Sequence, residues 1–179
     1  MSTRDTEPGP LSLVTQLVTV MPGFVLEVCV ASVEDAISAS AGGADRLELN
    51  MAIELGGLTP TVGLLREVKQ TVDLPVITLI RPRAAGFRYS PRERHLMLRD
   101  TELLLEWGAD GVAIGSLRSD GTIDVEFVRE VRKLYSGSGL VFHRAFDLTT
   151  EPEVAIRQLI DSGTRRVLTS GGSASAAQG

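Results

Sequence analysis

Chemistry in this 179-residue chain gathers where apolar runs stop. Leu140-Val141-Phe142 gives way to His143 and Arg144, with Asp147 three residues on, and His143 is one of only two histidines. Pro75–Ile80 ends in Arg81-Pro82-Arg83, and Arg166-Val167-Leu168-Thr169 ends in Ser170-Gly171-Gly172. Two further runs carry polar groups at period two: Glu27 with Cys29, and Glu48 with Asn50. Three chemistries are open to such a set. His143 with Glu27 or Glu48 has the groups that move protons. Arg81, Arg83 and Arg144, with Asp147, Thr169 and Ser170, have the groups that fix an anion, and Thr169–Gly172 ahead of a further segment reads as a phosphate nest. Cys29 is a soft metal ligand. The same charges could equally satisfy one another as an ion network, and no nucleophile–base pair can be assigned from spacing.

These residues need elements to position them. Phe24–Val30 alternates, with Leu26, Val28 and Val30 on one face and Glu27 and Cys29 on the other. Ser32 is an N-cap for a helix over Val33–Ala41, which ends at Gly42-Gly43. Arg46–Asn50 reads as a second strand. Thr59-Pro60 reads as cap and first residue of a helix running to Gln70, and Ser90-Pro91 opens a longer one that runs to Trp107. Strands over Pro75–Ile80, Gly111–Gly115, Leu140–Phe142 and Arg166–Thr169 alternate with helices over Asp124–Leu134 and from Pro152 to Ser162. His95 lies on a polar helix face and reads as a surface residue.

Buried strands alternating with helices mean parallel βαβ units. An open doubly wound sheet or a (β/α)8 TIM-type barrel satisfies that pattern. No strand-Gly-x-Gly-x-x-Gly-helix word is present, which disfavours a dinucleotide fold. Barrels gather their strand ends into one mouth, and the polar strand ends are those of a barrel of about six βα units. Six strands do not close a barrel of eight, so open edges are expected, and with them an incomplete C-terminal side, a homo-oligomer that covers the gap, or instability.

Composition narrows the setting. The net charge of −5 argues against non-specific binding to nucleic acid through bulk charge and leaves only local basic patches for it. No run reaches the length of a membrane span. A single cysteine forms no internal disulfide and fits a reducing, cytoplasmic compartment. Residues 1–21 read as a flexible extension, and 22–179 as one domain.

Several words in order carry a resemblance: Leu26-Glu27-Val28-Cys29, Gly43-Ala44-Asp45-Arg46-Leu47-Glu48-Leu49, Gly56-Gly57-Leu58-Thr59-Pro60, Ile80-Arg81-Pro82-Arg83, Phe142–Asp147 and Arg166–Gly171. From Phe24 to Gly179 the chain resembles the CutC family. That resemblance implies a cytoplasmic barrel implicated in copper homeostasis, binding copper(I) or another small ligand at its mouth. Cys29 then becomes the first metal ligand and His143 the second. The chain departs from the family where a second cysteine is common, since Asn50 stands there. It departs again at Ala84-Ala85-Gly86, where the family has Gly-Gly-Asp, and it stops two βα units short. The alternative reading is a barrel enzyme acting on an anionic or phosphorylated small molecule; a third is a non-catalytic remnant.

Overall fold

The computed structural model describes residues 23–137 and 139–179. The expected extension over residues 1–21 lies outside the described residues. Six parallel strands run in the order of the chain: β1 (Glu27–Val30), β2 (Arg46–Leu49), β3 (Val76–Leu79), β4 (Gly111–Ile114), β5 (Leu140–Phe142) and β6 (Arg166–Val167). Between them lie α1 (Val33–Ala41), α2 (Val62–Thr71), α3 (Pro91–Glu106), α4 (Val125–Leu134) and α5 (Pro152–Asp161), with short 3-10 turns at Ile53–Leu55 and Arg144–Leu148. Each strand pairs with its sequence neighbours, as the (β/α) barrel type requires. Among the described residues β1 and β6 are each paired on one side only.

Helix starts follow local chemistry. Ser32, Thr61, Ser90 and Asp124 each accept a hydrogen bond from a first-turn backbone N–H, and Ser90 with Glu93 forms a reciprocal capping box. One expected cap is displaced. Thr59 does not cap α2; its hydroxyl accepts from the Arg81 N–H at 2.8 Å, and its own N–H donates to the Arg81 carbonyl. Thr61 takes the cap, so Pro60 precedes the helix rather than opening it.

Period two divides each strand between two environments. Leu47 and Leu49 of β2, Val112 and Ile114 of β4, and Leu140 and Phe142 of β5 pack against the helices in the main core. On the opposite, concave face Ile77, Leu79, Ala113 and Val141 form a small separate cluster. The register aligns Cys29 with Glu48, Glu48 with Ile77, Ile77 with Gly111, and Ala113 with Val141, so Cys29, Glu48 and Asn50 share that concave face. No helix among the described residues is long and apolar enough to cross a membrane.

Candidate functional site

Above the small inner cluster, at the C-terminal ends of the strands, lies a cavity of about 200 Å³. Cys29, Glu48, Asn50, Arg81, His143 and Arg144 contribute polar groups to it, and Leu79, Phe87 and Leu168 contribute apolar wall. Each reaches it by a local cause. Asn50 follows the last residue of β2, is buried to 1% exposure, and donates its amide N–H to Cys29 Sγ at 2.8 Å. Arg81 follows β3 by two residues. Its Nη1 donates to the carbonyls of Leu55 and Gly57 at 2.9 and 2.8 Å, which draws the 51–58 loop over the cavity. Gly57 must be glycine there: its φ is +81°, and a Cβ would stand 2.8 Å from Leu79 Cδ2.

His143 closes β5. The Ala145 N–H donates to His143 Nδ1 at 3.1 Å, so the neutral ring carries its proton on Nε2. Burial first, and then the Arg81 guanidinium, push the imidazole down to about 3 from its usual 6.5. It is therefore neutral at physiological pH. The ring has space because Gly115 follows β4: a Cβ there would come within 2.3 Å of His143 Cε1. Phe87 packs against both partners, its ring centroid 4.9 Å from that of the imidazole at a 49° tilt and 5.1 Å from the Arg81 guanidinium carbon.

Three atoms of this wall are unsatisfied. Asn50 Oδ1, Arg81 Nε and His143 Nε2 are buried and have no hydrogen-bond partner among the described protein groups. An unpaired buried polar group costs about 1–3 kcal/mol, and native interiors rarely leave such groups unmet. Three such atoms in side chains that line one cavity are groups left for water or a bound molecule to satisfy. Glu48 adds a further property. Its burial, with the neighbouring Glu27 charge, raises its carboxyl to about 7, so near neutral pH it is partly protonated.

The other residues singled out from the sequence are placed differently. Glu27 stands at the opposite end of its strand from the mouth, as the first residue of β1. There it pairs with Arg46 of β2 and, at 3.0 Å, with Arg166 of β6, and it does not line the cavity. Arg83 binds the Glu93 carboxylate and the carbonyls of Ala85 and Arg88, fixing the loop that presents Phe87. Thr169, Ser170 and Gly172 do form an anion nest, and a carboxylate of the chain fills it. Asp147 accepts from the Thr169 hydroxyl, the Ser170 N–H and hydroxyl and the Gly172 N–H, with Arg144 Nε at 3.3 Å. Burial alone would raise the Asp147 carboxyl, but these donors outweigh it and hold it well below the carboxylate range. Gly115 and Phe87 are the positions that sequence chemistry passed over.

The residues present do not make a closed copper(I) site. Copper(I) prefers soft thiolate or thioether donors. Burial raises the Cys29 thiol, and Glu48 and Glu27 raise it further against the opposing Asn50 bond, so thiolate is scarce at neutral pH. Met51 lines a different hollow, with Pro60, Pro82 and Leu96. His143 directs an N–H rather than a lone pair from Nε2. Among the described residues no three His, Cys, Asp or Glu side chains gather as a metal-holding group.

Comparison with known proteins agrees with the words noted in the sequence. The sequence model of the CutC family matches residues 24–179. The human copper homeostasis protein cutC homolog is 46% identical over 157 residues, covering 88% of this chain and 58% of its own length. A family protein CutC from Treponema denticola is 45% identical over 159 residues, covering 89% of this chain and 65% of its own. The chain thus spans about three-fifths of the length of these curated relatives. The crystal structure of CutC from Streptococcus agalactiae superposes with a TM-score of 0.78 at 30% identity, over 84% of this chain and 75% of that one.

Proposed function

The chain belongs to the CutC family, and from that premise we propose that it serves in copper homeostasis by binding a small ligand at the mouth of its barrel-type sheet. One observation carries the reading: Asn50 Oδ1, Arg81 Nε and His143 Nε2 lie unpaired in side chains that line a single cavity. The proposed setting is the cytoplasm, where a lone cysteine stays reduced. Copper(I), if it is the ligand, finds the Cys29 thiolate as the one soft donor among the described residues that line the mouth, and a single thiolate gives a weak, exchangeable contact in place of a storage centre.

Competition of the reduced, anaerobic chain against a chromogenic copper(I) chelator tests this. Weak binding by wild type is expected, lost in Cys29→Ser and tightened at least about tenfold in Asn50→Cys, which sets a second thiol opposite the first. Equal affinity of wild type and Cys29→Ser would remove Cys29 from the account. The alternative of an enzyme acting on a phosphorylated substrate is less well supported, because the nest that would take the phosphate is occupied by Asp147.

A further inference from the structure

The three unpaired atoms are not alike, and their identities select a ligand. Arg81 Nε is a donor on a permanent cation. His143 Nε2 is a neutral donor, because Nδ1 accepts from the Ala145 N–H. Asn50 Oδ1 is an acceptor, because the amide N–H₂ is turned towards Cys29 Sγ. Arg144 lines the same cavity but is paired with Asp147, which leaves Arg81 as the lining cation with no carboxylate partner among the described residues; the wall further includes Glu48 and the apolar Ile53, Leu79, Phe87 and Leu168. Two donors, one acceptor, one cation without a carboxylate partner and a largely apolar lining describe the complement of a singly charged anion that also carries a hydroxyl.

Size and donor count narrow the anion. A cavity of about 200 Å³ is below the ~300–1,000 Å³ of sites for drug-sized ligands, so it takes a molecule of a few carbons. A phosphate would bring close to two negative charges to a wall where Arg144 is already paired with Asp147 and Glu48 stands nearby, and the Ser170 and Gly172 N–H groups are spent on Asp147. A carboxylate is flat, carries one charge, and can rest its carbon chain on Phe87 and Leu168. We infer that the mouth binds a small 2-hydroxycarboxylate, with its carboxylate on Arg81 and its hydroxyl between His143 Nε2–H and Asn50 Oδ1. The raised carboxyl of Glu48 supports the assignment, since a partly protonated neighbour does not repel the anion as a full carboxylate would. This rests on the mouth being a ligand site and does not depend on copper.

The chain's two histidines make a direct test possible without substitution. Long-range ¹H–¹⁵N spectra of the uniformly labelled chain read His143, and exposed His95 serves as internal control. Titration is carried out in buffer stripped of metal on a chelating resin, with lactate, propanoate and inorganic phosphate as probes. Lactate is expected to shift the His143 nitrogens saturably, with a midpoint on the order of 1 mM for so small a ligand, while His95 stays in place. Propanoate, which lacks the hydroxyl, is expected to bind about tenfold more weakly. The proposal is overturned if lactate leaves His143 unmoved, as a cavity filled by water alone would, or if propanoate or phosphate binds as well as lactate. A chain that holds copper(I) through Cys29 yet ignores lactate would sink this inference alone. One that binds lactate without copper would sink only the copper reading.

Discussion

At the residue scale, the mouth places two ionisable groups in conditions of opposite consequence. Glu48 is raised in the fold from 4.5 to about 7, so the folded chain holds its proton more firmly than the unfolded one. Its contribution is fully present below pH 4.5 and is lost as pH rises through 7, a change on the order of 3 kcal/mol. His143 is depressed to about 3, so its contribution is present above pH 6.5 and is lost as pH falls towards 3. Between 4.5 and 6.5 the two slopes oppose each other; on the alkaline side Glu48 acts without that opposition. Glu48→Gln keeps the shape and removes the ionisation. Urea denaturation is therefore expected to show the variant more stable than wild type at pH 8, by up to about 3 kcal/mol, with little difference at pH 4.5. The same difference at both pH values would mean that Glu48 acts through packing and not through its charge.

At the element scale, the mouth depends on β4 being thin where β5 ends in an imidazole. Gly111, Ala113 and Gly115 alternate with Val112 and Ile114, so the small residues fall on one face and the branched ones on the other. Gly115→Ala would drive a methyl to 2.3 Å from His143 Cε1 and 2.8 Å from Ala145 Cβ. Overpacking of this kind costs about 1–3 kcal/mol. A lowered urea midpoint with an unchanged m-value is expected, together with displaced His143 ring signals; a variant as stable as wild type with unmoved signals would show that the ring does not need the space. The alternation of small residues is visible in the sequence, but glycine advertises no chemistry, so the pattern marks a strand and nothing more. Strands, helices and the concave face of Cys29, Glu48 and Asn50 were legible because period two and capping are local properties. Height along the strand was not. Alternation tells which face Glu27 shares with Cys29, whereas pairing decides that β1 begins at Glu27 and so puts it at the far end from His143. Long-range pairing likewise diverted Thr59 to the Arg81 backbone, and it delivered Asp147 to the nest that composition alone left free.

At the scale of the whole molecule, the sheet curls far enough for Arg166 of β6 to reach Glu27 of β1, yet these two strands do not pair. Each has one strand neighbour among the described residues and presents unpaired N–H and C=O groups along its other side, a template for further pairing. Exposed apolar side chains stand near both strands in the chain: Phe24 and Val25 just before β1 are 69% and 51% exposed, and Ile156 and Ile160, one turn apart on α5, the helix that precedes β6, are 44% and 65% exposed. A stable association buries about 1,200–2,000 Å² in total, and a strand edge flanked by an apolar helix face offers both the backbone bonds and the non-polar contact that this needs. Self-association that grows with concentration is the expected outcome, measured by sedimentation velocity between about 1 and 100 μM, where micromolar contacts register. Ile160→Glu sets a charge on the helix face without touching the mouth, and is expected to weaken the association by at least about tenfold, since a charge buried without a partner is costly. A single monomer-sized boundary for wild type across that range would show that the exposed edges and the α5 stripe are satisfied by water alone.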